Sequence, residues 1–195
     1  MSAPGFALIG GGVRSGKSAF ALRLAMAHGG RRVFFATAVA FDDEMRVRIA
    51  RHVEERAADF TTIEATHDLD LAVGRLCTQP PAADVVVIDC LTLWLSNLLL
   101  ADDSHEAIER RVDGLAGTLA AAPFHTLLVT NEVGMGIVPE TALGRAFRDI
   151  SGRAHQRLAR SAQELYLAAL GTVLRLRPGP VQLVFPEAEG EGDRP

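Results

Sequence analysis

A glycine-rich segment near the start of the chain has the residue types and spacing of a phosphate-binding loop. Residues 11–18 read GGVRSGKS, which satisfies G-x-x-x-x-G-K-[ST] between an apolar run and a helical pattern. Backbone N–H groups of such a loop point at phosphates, Lys17 reaches the β and γ phosphates, and Ser18 ligates Mg²⁺. The alternative, an ordinary glycine-rich turn with a chance lysine, is disfavoured by the flanking elements. We therefore expect a nucleoside triphosphate to bind at Gly11, Gly12, Val13, Arg14, Ser15, Gly16, Lys17 and Ser18.

An acidic residue ends a second apolar run. The segment VVVID places Asp89 after four consecutive β-branched residues, a pattern typical of a strand buried on both faces. Ligands gather at the carboxyl ends of such strands in open α/β sheets. Asp89 is therefore predicted to ligate Mg²⁺ directly or through water. The alternative is that Asp89 is the N-cap of the segment that opens at Leu91.

A histidine lies among arginines in the stretch FDDEMRVRIARHVEER. Acidic residues at its start favour a helix over residues 43–55, because they suit the positive end of a helix. His52 in that helix could contact phosphate, act as a general base, or attack phosphorus as a nucleophile. From spacing alone, a solvated charged face is favoured over these chemical roles.

A loop with two glycines, a proline and an acid follows a further apolar run. Residues 130–140 read TNEVGMGIVPE. Asn131 and Glu132 could orient a substrate hydroxyl or the water shell of a metal, while Gly134 and Gly136 would let the backbone approach a bulky ligand. A turn rich in left-handed backbone is an equally good interpretation.

Short apolar runs alternate with longer helical patterns, which is typical of βαβ units. With the phosphate loop, this alternation predicts an α/β, single-domain P-loop NTPase fold, RecA-like, with a mostly parallel central sheet flanked by helices. A helix over residues 142–161 should bury Leu143, Phe147, Ile150, Ala154 and Leu158 on one face. Strands are predicted at residues 6–9, 33–36, 85–88, 126–129, 164–168 and 172–176, and the other helices at residues 17–27, 43–55, 68–77, 93–100 and 106–121.

Length and composition exclude several classes of protein. A chain of 195 residues with 48% hydrophobic content suits one domain, and a net charge of -4 argues against long nucleic acid as the main ligand. Cys77 and Cys90 lack metal-site spacing and are expected to be buried reduced thiols. No signal peptide or membrane span is recognised, so we expect a soluble, cytoplasmic protein. Residues 178–195, rich in Pro, Gly and acids, are predicted to be a partly disordered appendage with a short edge strand at most.

Several segments, in order, make the chain resemble the bifunctional adenosylcobinamide kinase/adenosylcobinamide-phosphate guanylyltransferases. They are GGVRSGKS, FATAVAFDDEMRVRIARH ending at His52, VVIDCLTLWLSNLL containing Asp89, and VTNEVGMGIVPE continuing to RAFRDISGR at Arg153. The phosphate loop alone marks only a P-loop protein, whereas the other three are specific to this family. The resemblance implies one kinase/guanylyltransferase domain over residues 1–177, with Mg²⁺ as cofactor and ATP and GTP as substrates.

The resemblance also implies residue roles. His52 would take GMP from GTP, in contrast to the solvated role favoured by its spacing, and Lys17 would be catalytic in phosphoryl transfer. Adenosylcobinamide and its phosphate would be the acceptors, and the assembly a homotrimer, for which the apolar helix at residues 93–100 could supply an interface. Further nucleotide contacts would fall on Ala38, Val39, Ala40, Val53, Glu54, Glu55, Arg56, Glu64 and Asp89.

The chain departs from the family pattern at a few positions. His155 replaces the usual asparagine of GxxNQ, which puts an amide contact there in doubt although imidazole keeps a donor and an acceptor. Ala57 and Phe60 replace the usual proline and tryptophan. Two other hypotheses remain at this point: a P-loop kinase without a covalent step, in which His52 is structural, and a RecA-like regulatory or assembly module that binds GTP without transferring it.

Overall fold

Strands and helices alternate through most of the computed structural model, which describes residues 4–39, 59–79 and 83–185. Eight strands and five helices lie in these ranges. The strands are β1 (Gly5–Gly11), β2 (Arg32–Ala36), β3 (Thr61–Glu64), β4 (Val85–Asp89), β5 (His125–Asn131), β6 (Glu164–Ala169), β7 (Thr172–Arg177) and β8 (Gln182–Phe185). The helices are α1 (Lys17–His28), α2 (Leu69–Thr78), α3 (Leu91–Leu100), α4 (His105–Ala121) and α5 (Ala142–Ser161).

All eight strands form one sheet, in the order β3-β2-β4-β5-β1-β6-β7-β8. The first six strands in the chain, β1 to β6, run parallel to one another. Strands β7 and β8 extend the sheet beside β6 as antiparallel strands. The carboxyl ends of β1, β2, β4 and β5 therefore meet at one edge of the sheet. The predicted α/β class with a mostly parallel central sheet is confirmed.

Alternate residues of β1 face two separate hydrophobic clusters, as the period of two in a strand requires. Phe6 and Leu8 belong to the cluster shared with α2, α3, α4 and α5. Ala7 and Ile9 belong to the second cluster, which contains Phe20 of α1. The central strands are thus buried on both faces, and their carboxyl ends are the part of the sheet that can meet a ligand.

The six predicted strands are confirmed, with small extensions at their ends. One described strand, β3, was not expected. Its four residues TTIE include three that are exposed, and it lies at the edge of the sheet against β2, so it lacks the apolar run that indicated the other strands. Helix α3 begins at Leu91, two residues before its predicted start. The predicted helix over residues 43–55 lies outside the described residues.

One expectation about apolar side chains is wrong. Leu143 was assigned to the core face of α5, but it is exposed because it lies in the first turn, beyond the cover of neighbouring helices; Ile150, Ala154 and Leu158 are buried as expected. The helix over residues 93–100 could supply a subunit interface, but Trp94, Leu95 and Leu98 lie in the core of the protomer, and Leu100 is 53% exposed. The three buried side chains are therefore not available for such an interface.

The segment after residue 177 contributes to the sheet. Strand β8 pairs with β7, in agreement with the short edge strand that the sequence allowed. In the described ranges no helix combines the length and apolar character that crossing a bilayer requires.

Candidate active site

The phosphate loop connects the carboxyl end of β1 to the amino end of α1. Gly16 adopts φ 93 at the helix N-cap, a left-handed conformation that favours glycine. Lys17 is 8% exposed, and its Nζ donates a hydrogen bond to the Gly12 carbonyl at 3.0 Å. The ammonium group is therefore held over the loop, where a phosphate group would meet both the lysine and the helix N-terminus.

Close packing surrounds the first glycine of the loop. A Cβ at Gly11 would lie 2.4 Å from the Ala168 carbonyl oxygen and 2.7 Å from Ser15 Oγ. Ser15 is buried, and its hydroxyl has no hydrogen-bond partner in the structure as described. A buried hydroxyl in this state loses the hydration it would have in water, so a phosphate oxygen is a fitting partner for it.

Asp89 and Ser18 are the described residues that fit a magnesium ion. Asp89 ends β4 half-buried at the carboxyl edge of the sheet, and Ser18 lies half-buried in the first turn of α1. Hydroxyl and carboxylate oxygens are ligands that Mg²⁺ prefers, and one or two protein ligands suffice when phosphates complete the shell. In the described ranges, no group of three or more acidic, histidine or cysteine side chains is arranged to hold a metal ion by itself.

The N-cap alternative for Asp89 is wrong, because Cys90 holds that position in α3. Burial, helped by the neighbouring Asp89 carboxylate, raises the pKa of the Cys90 thiol to about 11. The thiol is therefore protonated at neutral pH and unsuited to nucleophilic attack. The expectation of free thiols is confirmed for both cysteines; Cys90 is buried, whereas Cys77 is only half-buried.

Hydrogen bonds join the ends of β2 and β5 to the residues that follow β4. The Thr37 hydroxyl donates to the Cys90 carbonyl and accepts from the Cys90 N–H, each at 2.8 Å. The Thr92 hydroxyl accepts from the Asn131 side-chain amide at 2.9 Å and from the Asn131 N–H at 3.3 Å. These bonds tie the residues that follow Asp89 to the ends of the two strands that flank β4.

Helix α3 contributes a further anchor to this edge. The Asn97 side-chain amide donates to the Thr37 carbonyl at 2.9 Å and to the Thr66 carbonyl at 2.8 Å. Thr37 follows β2 and Thr66 follows β3. One buried side chain therefore links the segments that leave two neighbouring strands. Sequence reasoning missed Thr37, Thr92 and Asn97; the signal for Thr37 was a polar residue immediately after an apolar strand.

The segment TNEVGMGIVPE begins beside the phosphate loop and is bonded to α5. The Glu132 N–H donates to the Gly11 carbonyl at 3.0 Å, and its carboxylate accepts from the Gly134 N–H at 2.9 Å. His155 Nε2 lies 2.7 Å from the Thr130 hydroxyl, and its Nδ1 lies 3.5 Å from the Glu132 carboxylate. Burial lowers the pKa of His155, with the Glu132 carboxylate opposing that shift.

Two interpretations of this segment change accordingly. The left-handed turn is wrong, because neither Gly134 nor Gly136 has a positive φ. The Asn131 side-chain amide nitrogen donates hydrogen bonds within the protein, to the Thr92 hydroxyl and to Cys90 Sγ. These two bonds satisfy the amide nitrogen without a substrate. The Glu132 carboxylate likewise serves to hold the loop to α5.

The remaining predicted nucleotide contacts fall into two groups. Ala38 and Val39 are half-buried just beyond β2, and Glu64 is exposed at the end of β3. In the sheet register Ala36 pairs with both Glu64 and Asp89, so these residues share the edge that carries the phosphate loop. Outside the described residues lie Ala40, His52, Val53, Glu54, Glu55 and Arg56.

Comparison with known proteins identifies relatives over nearly the whole chain. Residues 7–176 match the family described as CobU: Cobinamide kinase / cobinamide phosphate guanyltransferase. The bifunctional adenosylcobalamin biosynthesis protein CobU of Salmonella typhimurium is 40% identical over 183 residues, which cover 87% of this chain and 98% of the relative. CobP of Pseudomonas aeruginosa, which carries the same description, is 39% identical over 174 residues, or 89% of this chain and 98% of the relative.

Solved structures support the fold at much lower identity. A KaiC-like protein from Pyrococcus horikoshii OT3 is 16% identical, with a TM-score of 0.51 over 92% of this chain and 76% of that chain. The RadB recombinase is 14% identical, with a TM-score of 0.51 over 88% of this chain and 79% of that chain. The similarity confirms the predicted RecA-like P-loop architecture.

Proposed function

Because the chain belongs to the cobinamide kinase / cobinamide phosphate guanyltransferase family, we propose that it catalyses two reactions of adenosylcobalamin biosynthesis. In the first it phosphorylates adenosylcobinamide with ATP or GTP. In the second it transfers GMP from GTP to adenosylcobinamide phosphate through a guanylylated His52. The observation that carries the proposal is the phosphate loop, with Lys17 bonded over it and Asp89 on the same edge of the sheet.

In the kinase reaction, the hydroxyl oxygen of adenosylcobinamide attacks the γ-phosphorus and the bond from that phosphorus to the β-phosphate oxygen breaks. The hydroxyl proton leaves to solvent. Lys17 and the backbone N–H groups of residues 11–18 stabilise the charge that develops on the phosphoryl oxygens. Ser18 and Asp89 would hold Mg²⁺, which supplies further charge neutralisation when bound.

In the guanylyltransferase reaction, an imidazole nitrogen of neutral His52 attacks the α-phosphorus of GTP, and pyrophosphate leaves. A phosphate oxygen of adenosylcobinamide phosphate then attacks the same phosphorus, and the P–N bond to His52 breaks. Adenosylcobinamide-GDP is the product. The phosphate cradle serves both reactions because each begins with a bound triphosphate.

Labelling with α-labelled GTP tests the covalent step. The wild-type protein should acquire acid-labile, base-stable label, and His52→Asn should acquire none because its amide is not a nucleophile toward phosphorus. His105→Asn, an exposed histidine at the start of α4, is the matched control and should label normally. Label retained on His52→Asn would refute the nucleophile; kinase activity without label in the wild type would favour the simple kinase.

Replacement of Lys17 distinguishes the role of the phosphate loop from the role of the nucleophile His52. Lys17→Ala should lower both activities by on the order of 10²-fold, since both use the same charge stabilisation. His52→Asn should leave the kinase activity intact. Kinetics of the two half-reactions measure this difference.

The family also motivates proposals about assembly and location. We propose a homotrimer, which sedimentation analysis would test, and a cytoplasmic location. Residues 1–177 would form the catalytic domain and residues 178–195 an appendage. Mg²⁺ would be the cofactor, which titration of both activities against added metal after chelation would test.

A further inference from the structure

The loop between β5 and α5 presents apolar side chains to solvent. Met135 is 82% exposed, Ile137 is 96% exposed and Val138 is 58% exposed. Single exposed apolar residues are common on protein surfaces, but several in one short loop indicate a surface that binds a partner or ligand. None of these three side chains belongs to either core cluster.

Hydrogen bonds hold this loop at both ends, while its apolar side chains remain exposed. At the α5 end, Arg145 Nη1 donates to the Glu140 carbonyl at 2.7 Å and to the Pro139 carbonyl at 3.1 Å. Thr141 caps the helix by accepting from the Gly144 N–H at 3.1 Å. The other end is held by the Glu132 carboxylate.

The position of the loop links it to phosphate chemistry. Its first residue, Glu132, donates its N–H to the carbonyl of Gly11, the first residue of the phosphate loop. A molecule that rests on the residues just after Glu132 therefore lies beside a bound triphosphate. An acceptor of a phosphoryl or guanylyl group has to approach the nucleotide in this way.

An open cavity, lined mainly by polar and charged residues and by glycines, adjoins the apolar loop. Its volume is about 310 Å³, and it lies between Gly134 and one side of α5. The lining includes cationic, anionic and amide groups, which supply hydrogen-bond donors and acceptors of the kind that bind carboxamides. The lining residues are Gly134, Arg148, Asp149, Gly152, Arg153 and Gln156.

We propose that the apolar loop and the cavity together form the subsite for the corrinoid acceptor. A corrinoid is a large macrocycle with apolar edges and carboxamide side chains. Its apolar edge would rest on Met135, Ile137 and Val138, and carboxamide side chains would enter the cavity beside α5. This inference rests on the proposed function and adds to it the location of the second substrate.

Steady-state kinetics with adenosylcobinamide test the subsite. The double variant Met135→Ser, Ile137→Ser should raise KM for adenosylcobinamide by about 10-fold, because apolar contact area is lost. Its KM for GTP and its labelling by α-labelled GTP should stay at wild-type values. Leu71→Ser, which changes a 61% exposed leucine on α2, is the matched control and should leave all three values unchanged.

Three results would overturn the inference. An unchanged KM for adenosylcobinamide in the double variant excludes the loop as a corrinoid contact. A changed sedimentation coefficient with unchanged KM assigns the loop to contacts between copies of the chain. Wild-type protein that does not turn over adenosylcobinamide overturns the proposed function as well, and this failure is visible before any variant is compared.

Discussion

Gly11, at the start of the phosphate loop, is a position where the surrounding packing leaves no room for a side chain. The residue has ordinary backbone torsion angles, so its requirement for glycine comes from space alone. A Cβ at Gly11 would lie only 2.4 Å from the backbone carbonyl oxygen of Ala168. Because this oxygen belongs to the neighbouring strand β6, a side chain at Gly11 would force β1 and β6 apart.

We expect Gly11→Ala to destabilise the protein by about 1–3 kcal/mol and to weaken GTP binding, because overpacking displaces backbone at the start of the loop. Gly10→Ala is the control, since a Cβ there meets its nearest neighbours at 3.8 Å and 3.9 Å, in ordinary contact. Urea unfolding and GTP titration measure the two effects. Equal stabilities of the two variants would contradict the steric argument.

His155 is a second residue whose environment has a measurable consequence. It lies between Thr130 and Glu132 and is 14% exposed. Burial lowers its pKa below the usual value for histidine. As pH falls below about 6.5, the unfolded chain therefore binds protons more readily than the folded chain.

The free energy of unfolding should consequently be highest above about pH 6.5 and should decrease as pH falls toward the pKa of folded His155. His155→Asn should show a smaller decrease between pH 7 and pH 5, measured by urea unfolding at several pH values. Part of the dependence should remain, because burial also lowers the pKa of His125. A pH dependence identical to that of the wild type would exclude His155 as its source.

Among the elements, α3 does more than cover the sheet. Its apolar side chains fill the core, and its one buried amide, Asn97, bonds to the chain after β2 and after β3. A buried carbonyl without a partner costs about 1–3 kcal/mol. The helix thus holds the chain at Thr37 and at Thr66, just beyond the ends of β2 and β3.

Asn97→Leu keeps the size of the side chain but removes both hydrogen bonds. We expect it to reduce the free energy of unfolding by about 2–4 kcal/mol, since two carbonyls lose their partner. Ser96→Ala, at a half-buried position of the same helix, should change stability by less than about 0.5 kcal/mol. Chemical denaturation compares the two, and a small effect of Asn97→Leu would show that water replaces the amide.

At the scale of the whole molecule, the sheet has two parts. The parallel strands carry the candidate site, and the antiparallel strands β7 and β8 form one edge. Strand β8 covers β7, whose Val173 is fully buried, and Val184 of β8 packs against the same cluster. Arg175 also donates to the Gln182 side chain at 2.6 Å. These contacts indicate that the first part of the proposed appendage stabilises the domain.

A pair of truncations tests this edge. A chain that ends at Phe185 keeps β8, and a chain that ends at Arg177 loses it. We expect the shorter chain to be less stable by about 2 kcal/mol, because apolar area and strand pairing are lost. Thermal and urea unfolding of both chains measure the difference. Equal stabilities would support residue 177 as the end of the domain.

Features encoded by neighbouring residues were predictable from the sequence. The phosphate loop, the apolar run that ends at Asp89 and the helix over residues 142–161 each depend on local spacing, and so does the family resemblance. Strand β3 was missed because a short, exposed edge strand carries little hydrophobic pattern. Leu143 was misplaced because periodicity identifies the side of a helix but not where the neighbouring elements end.

Only the tertiary structure decided which distant polar groups meet at the site. Thr37 bonds to Cys90 across 53 positions, Asn97 to Thr37 across 60, and His155 to Thr130 across 25. Such pairs depend on strand order and helix packing, for which no single segment carries a signal. The sequence by itself determined the phosphate cradle and the fold class, because both follow from local patterns. The hydrogen bonds around Asp89, and the bond from Glu132 to Gly11, follow from how the sheet assembles.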